Sequence, residues 1–414
     1  MAFAELDCRV DVLCPRGHPA TLTRAVARTL SYSPLRALHS VQHAIQASAP
    51  DLVIPCDDEA AADLQRLFVW TQERDPPSAR ALQALVERSL GAPGACTLAT
   101  DRGRLMSIAA EEGVRIPATA RVQSTQHLDD FVARHGFPVV LKIDRTWGGQ
   151  GVAIVHNQEE AHRALVSMTT RRSVAHTVTR MVLDRDPAIF LDQCRRTPRA
   201  VIVQSFIGGM PANRAVACWR GEVLAGISVE ALHTLRRTGP ATVVRMIEND
   251  EMTESVHRLV RRLGVSGLWG ADFVLDAGTK AAYLIEVNPR ATPVCHLVKQ
   301  DGSSLPATLQ GQLAGQSARV LPPTCSDGIV AMFPGEWRRG PASRCLRAHY
   351  HDVPWSEPAL LRDCLDLPWA ERGLAARLWA TVRPHWSAWR DRSPGGAHRR
   401  SQTPSAGGYG RFSS

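Results

Sequence analysis

Lysine is nearly absent from this chain. Of 49 basic residues, three are lysine (Lys142, Lys280 and Lys299) and the rest are arginine. Long apolar runs are absent too: none approaches the roughly 18 to 20 residues that cross a bilayer, and Met1-Ala2-Phe3-Ala4-Glu5-Leu6-Asp7 lacks a basic leader with an apolar core. A cytoplasmic location without membrane partners is expected. The ten cysteines, scattered from Cys8 to Cys364, include no Cys-x-x-Cys pair, which favours reduced thiols over a disulfide framework or a zinc site. Aromatic residues make up 6%, and none interleaves with a basic stripe in the way that stacks bases, so the formal charge of +9 does not point to nucleic acid. Much of that charge sits in the tail, where Arg390, Arg392, Arg399, Arg400 and Arg411 face a single acid, Asp391. Ser205 lies outside any Gly-x-Ser-x-Gly elbow, which argues against a hydrolase nucleophile. His156, His162 and His176 have no metal-like spacing.

What is present centres on Lys142. It ends the apolar run Phe137-Pro138-Val139-Val140-Leu141 and precedes a loop carrying Gly148, Gly149 and Gly151, after which Val152 to Val155 reads as a second strand. An ammonium is a compact point charge with three donors, and a loop with little side-chain bulk brings backbone N–H groups against phosphate oxygens. A hairpin or bulge would also want glycine. The order differs from a P-loop, which puts Gly-Lys-Ser/Thr at the start of a helix.

A second constellation lies far downstream. Trp269 to Asp276 and Ala282 to Arg290 are strand-like runs joined by Ala277-Gly278-Thr279, and they should pair as a hairpin. Side chains alternate faces along a strand, so Glu286, Asn288 and Arg290 share one face, with Asp272 within a residue or two across the ladder. Two carboxylates and an amide oxygen suit a hard divalent cation that keeps substrate phosphates as partners, so Mg2+ is the expected occupant, with Mn2+ as a substitute. A solvated charged strand face is the competing reading. Burying Asp272 and Glu286 without a cation or partner would be costly, which weighs against it.

These motifs, in this order, resemble the ATP-grasp superfamily of carboxylate–amine ligases and carbamoyl-phosphate synthetase-like ATP-binding domains. The matching pieces are Asp101-Arg102 before Gly113-Val114-Arg115-Ile116-Pro117, then Gly136 to Lys142 with its glycine loop, then Val201 to Gly209, and last Asp272 with Glu286-Val287-Asn288-Pro289-Arg290. The resemblance implies an α/β and α+β chain in which two α+β subdomains grip ATP, preceded by a small parallel-sheet domain. It implies that Lys142 and Arg102 contact the phosphates, that Gly148, Gly149 and Gly151 form a lid, and that Gln204, Ser205, Phe206 and Ile207 form the adenine hinge. Asp272, Glu286 and Asn288 resemble magnesium ligands, and Arg290 resembles the arginine that steadies the transferred phosphoryl group. Two departures stand out: Gln204 occupies a position often held by Glu, and Pro211-Ala212-Asn213-Arg214 replaces the stretch that usually supplies a ribose-binding acid. The implied activity is ligation, in which a carboxylate is activated as an acyl phosphate for attack by an amine or other nucleophile, with ADP and phosphate as products. The partners are then small molecules. Alternatives are a regulatory nucleotide binder with a degenerate site and a bicarbonate-phosphorylating, carboxylase-type enzyme.

The expected organisation is an N-terminal α/β domain over 1–94, the ATP-grasp domain over 95–320, an extension over 321–389 and a disordered basic tail over 390–414. In the first of these, strands are expected at Arg9 to Leu13 and Asp51 to Asp58, with helices within Thr21 to Leu38 and over Glu59 to Phe68. Asp57 and Asp58 are candidates for a helix cap or a contact to a substrate amine. Phe3 to Asp7 reads as the end of a helix, which suggests a natural start upstream of Met1. Gly328 to Phe333 is expected as one more strand, and Trp355 and Trp369 as packing anchors. Oligomeric state is not legible.

Overall fold

The computed structural model describes residues 1–75, 77–92, 94–95, 101–143, 151–169, 200–236 and 239–365. Gly148, Gly149, His176, Trp369 and the tail from 390 lie outside them. The N-terminal unit holds β1 (Asp11–Cys14) and β2 (Arg28–Ser31), a parallel pair, with α1 (Ala37–Ser48), α2 (Asp58–Arg74) and α3 (Ala79–Leu90). Its core is Val41, Leu64, Leu67, Phe68, Leu82, Val86 and Leu90. The second strand thus falls inside the stretch expected to be helical. Leu52 to Pro55 is neither helix nor strand and joins no sheet: the Val53 N–H is taken by Ser89 Oγ at 2.9 Å and Pro55 has no N–H to give. The start of the chain forms a short 3-10 turn, Ala4–Leu6.

A four-stranded sheet follows. Helix α4 (Arg102–Glu111) leads to β3 (Thr119–Val122), α5 (Thr125–His135), β4 (Val139–Ile143), β5 (Val152–Val155), α6 (Gln158–Thr169) and β6 (Val201–Ser205), in sheet order β3-β6-β4-β5. Helix α5 starts where the Ser124 side chain accepts from His127 N–H, and ends at Gly136 with φ +73°. Val139, Leu141, Val201 and Val203 pack on Leu128, Phe131, Ala161 and Leu165 of α5 and α6. By strand alternation Lys142, Ile202, Gln204 and Thr119 share the opposite face, with Lys142 opposite Ile202 and Gln204 opposite Thr119.

The larger sheet runs β11-β10-β7-β8-β9-β12-β13. Its strands are β7 (Gly209–Trp219), β8 (Glu222–Thr234), β9 (Ala241–Ile247), β10 (Gly267–Asp276), β11 (Ala282–Asn288), β12 (Ile329–Met332) and β13 (Tyr350–Asp352), with α7 (Asp250–Leu263) before β10 and α8 (Leu305–Ala314) before β12. Helix α7 places Met252, Val256, Leu259, Val260 and Leu263 on one stripe against Val216, Trp269 and Phe273. The other face packs Ala215, Ile227, Val229 and Leu268 on Leu305 and Leu309 of α8, with Leu52 and Ile54 from the N-terminal unit joining in. The expected strand near Gly328 is β12. Trp355 departs from its expected anchoring role: it is 74% exposed.

The N-terminal unit is stitched to this sheet through backbone. Gly91 and Val265 form an antiparallel bridge, flanked by Ala92 N–H to Gly264 O at 2.8 Å and Ser266 N–H to Leu90 O at 3.1 Å. Gly91 has φ +95°, and a Cβ there would sit 2.3 Å from Gly264 O, so glycine alone permits the approach. A second stitch runs from Ala291 N–H to Pro55 O at 3.0 Å.

Candidate active site

Between the two sheets the distant motifs meet. Lys142, 6% exposed, points from β4 to the larger sheet, where its Nζ donates to Ile285 O at 3.3 Å. Burial pushes this ammonium down to about 8; Glu286 and Asp272 pull the other way, while Arg102 adds to the fall. Arg102, the first residue of α4 after the Asp101 cap, donates from Nη2 to Glu286 Oε1 at 2.5 Å and from Nη1 to Ile143 O.

The hairpin forms as expected, in a definite register. Asp272 lies directly opposite Glu286, and Gly270 opposite Asn288. Asn288 Nδ2 donates to Asp272 Oδ2 at 2.9 Å, and Arg290 Nη2 to Asn288 Oδ1 at 3.1 Å. The Asp272 carboxyl is raised above its ordinary value, chiefly by burial and then by the Glu286 charge, against the pull of its amide partners and Arg290. Two carboxylates face each other across one ladder rung, and one of them resists ionisation. A divalent cation between them would relieve both terms, so the donor set fits Mg2+. Among the described residues no three His, Cys, Asp or Glu side chains cluster to hold a metal by themselves.

Sequence reasoning overlooked two residues here, Thr292 and Thr119, and named two others, Asn213 and Asp58, without the partners they take. Asn213 of β7 pairs with Asp272 in register and donates to its Oδ1 at 2.6 Å, completing a brace on both carboxylate oxygens. Thr292 Oγ1 reaches Asn213 Oδ1 at 3.5 Å. Asp58 accepts from Arg290 Nε at 2.7 Å, while its neighbour Asp57 caps α2 by accepting from Ala60 N–H, also at 2.7 Å. Thr119 Oγ1 accepts from Gln204 Nε2 at 3.1 Å. Asn213 was visible as a missing acid, but its use depends on β7 lying beside β10, which no local pattern reveals.

Gln204, 1% exposed, shares with Lys142 the face of its sheet turned away from α5 and α6. In the hinge the Ser205 and Phe206 N–H groups are committed to Ala118 O and Pro138 O, at 2.9 and 3.2 Å. Ile207 follows them, partly exposed. Gly151, with φ +72°, closes the described side of the glycine loop, its carbonyl accepting from Ile143 N–H at 3.0 Å.

Residues 101–300 match the family described as "Carbamoyl-phosphate synthase L chain, ATP binding domain". Over this region the chain is similar to ATP-grasp proteins. The carbamoyl phosphate synthase large chain of Vibrio parahaemolyticus is 28% identical over 270 residues, covering 62% of this chain and 23% of that one, so the chain spans about a quarter of that relative. The formate-dependent phosphoribosylglycinamide formyltransferase of Synechococcus is 26% identical over 318 residues, 76% of this chain and 72% of that one. Among solved structures, the biotin carboxylase domain of Hydrogenobacter thermophilus 2-oxoglutarate carboxylase, in complex with MgADP, ADP and bicarbonate, superposes with a TM-score of 0.54 at 13% identity, covering 78% of this chain and 67% of that one. N5-carboxyaminoimidazole ribonucleotide synthetase from Thermus thermophilus gives 0.52 at 19% identity, covering 78% and 76%. The ATP-grasp fold is thereby established, with a two-stranded parallel sheet at its N-terminal side. Among the described residues no helix is long and apolar enough to cross a membrane.

Proposed function

We propose that this ATP-grasp protein is an ATP-dependent ligase that phosphorylates a substrate carboxylate and passes the acyl group to an amine or other nucleophile, releasing ADP and phosphate. One observation carries the reading: Lys142 Nζ lies 3.3 Å from Ile285 O, the residue next to Glu286, so the ammonium and the acidic pair border one cleft. Lys142 and Arg102 orient the triphosphate, the glycines of the loop that follows Lys142 serve as its lid, and Gln204 to Ile207 receive the adenine. Asp272, Glu286 and Asn288 hold Mg2+, for which Mn2+ can substitute. The metal supplies charge neutralisation to the phosphates. Arg290 offers its guanidinium to the phosphoryl group in flight, and the chain provides no nucleophile of its own: positioning and preorganised charge supply the catalysis. Closure excludes water from the acyl phosphate.

The acceptor pocket falls to the unit over 1–94, the nucleotide to 95–320, whose sheet β12 extends, and the partners are small molecules in a cytoplasmic setting. Bicarbonate as the activated substrate is the second reading, favoured by the match to the carbamoyl-phosphate synthase ATP-binding family.

The test is ADP release screened against amino acids, small carboxylic acids and bicarbonate. Lys142→Ala and Glu286→Ala are each expected to abolish substrate-dependent ADP release with an unchanged circular dichroism spectrum. Wild-type turnover in either variant would remove these roles.

A further inference from the structure

The Arg290 guanidinium is gripped from the side. Its Nε donates to Asp58 Oδ1 at 2.7 Å and its Nη2 to Asn288 Oδ1 at 3.1 Å. A guanidinium is planar and has two edges suited to a bidentate oxyanion, one along Nε and Nη2, the other across Nη1 and Nη2. Here the first edge is filled. Among the described residues, the second meets only Ala291 O, at a long 3.3 Å from Nη1.

The grip comes from another part of the chain. Asp58 opens α2, Asp57 already serves as its cap, and so the Asp58 carboxylate is available to turn outward to Arg290. The contact is anchored at its base by Ala291 N–H to Pro55 O at 3.0 Å, which ties the loop before α2 to the backbone beside Arg290. The pair is largely shielded, with side-chain exposures of 19% for Arg290 and 30% for Asp58. A flexible arginine otherwise samples many rotamers. Holding it by two acceptors on one edge fixes the direction of the other.

We propose that Asp58 is a positioning residue that aims the outer edge of Arg290 at a tetrahedral oxyanion, the transferred phosphoryl group or product phosphate, so that the N-terminal unit completes the phosphoryl-transfer site. This rests on the nucleotide reading above. Asp58 does not compete for the oxyanion, because it occupies the opposite edge of the guanidinium.

The test is calorimetric and uses MgADP and orthophosphate. Wild-type protein is titrated with MgADP, then the MgADP complex with orthophosphate, and both titrations are repeated on Asp58→Asn and Asp58→Glu. The expected result is MgADP affinity within twofold of wild type in both variants, orthophosphate affinity lowered about tenfold or more in Asp58→Asn, as loss of the carboxylate charge from a charge-assisted grip implies, and partial recovery in Asp58→Glu. A merely structural role for Asp58 would lower both affinities together, and unchanged orthophosphate affinity in Asp58→Asn would show that Arg290 needs no aiming; either overturns the proposal. Wild-type protein that fails to bind MgADP would instead remove the nucleotide reading beneath it.

Discussion

Asp272 and Glu286 stand opposite each other on one rung of the β10–β11 ladder, and their surroundings differ. Asp272 is braced by the amides of Asn213 and Asn288, which bring no charge. Glu286 is matched by the Arg102 guanidinium. Binding a cation between them leaves the brace on Asp272 in place but asks Arg102 to give up Glu286, and the triphosphate is the obvious new partner for it. Nucleotide and metal should therefore bind as a unit.

The buried ammonium of Lys142 gives this site a pH signature. In the free protein it loses its proton near pH 8, held down mainly by burial. Phosphate oxygens beside it favour the charged form and raise that value. Below pH 8 the lysine is already charged and little proton is exchanged; above it, MgADP binding should take up close to one proton. Calorimetry at pH 8.5 to 9 in buffers of different ionisation enthalpy measures the uptake (~8.5 to 9 is the window just above the shifted value). Lys142→Gln should abolish it.

Thr119 should govern base selectivity. By accepting from Gln204 Nε2 it fixes the amide so that the Gln204 oxygen is left to accept from an exocyclic amino group. Thr119→Val frees the amide to turn its nitrogen outward, toward a keto oxygen. The preference for ADP over IDP should then narrow by about 1 kcal/mol, roughly fivefold, the scale of one neutral hydrogen bond. Parallel titrations with the two diphosphates check this, and an unchanged ratio would dissociate Gln204 from base reading.

Glu336, in the short helix Gly335–Arg339, is fully buried and accepts from Arg339 at 2.5 and 2.7 Å and from Ser343. Burial alone would raise its carboxyl, but these partners outweigh it and hold the group down to about 2, against an ordinary 4.5. A depressed carboxyl stabilises the fold fully above 4.5 and loses that contribution as pH falls toward 2. Glu336→Gln should lower stability by roughly 1.5 to 3 kcal/mol at neutral pH, the range for hydrogen bonds to charged groups. The Tm gap between wild type and variant should shrink as pH drops below 4.5.

What could be read from the sequence was local. Lys142 at the end of an apolar strand and the hairpin bearing Asp272 and Glu286 each lie within one short stretch, so alternation and turn residues were enough to place them. The stretch Leu52 to Ile54 looked equally strand-like. It remains unpaired because Ser89, some thirty-six residues away, captures the Val53 N–H. Arg28 to Ser31 became a strand inside a stretch with helical composition because it pairs with β1, a tertiary effect that overrides propensity. The partners of Asn213, Thr119 and Asp58 were invisible for a related reason: only the assembled sheets bring them near.

The two backbone stitches, Gly91 to Val265 and Pro55 to Ala291, have a mechanical consequence. They tie the N-terminal unit to the seven-stranded sheet as a single anvil, with α2 and the acidic pair held relative to each other. The four-stranded sheet meets this anvil through side-chain contacts such as Lys142 to Ile285 and Arg102 to Glu286, a latch that would have to open for a nucleotide to enter between the sheets.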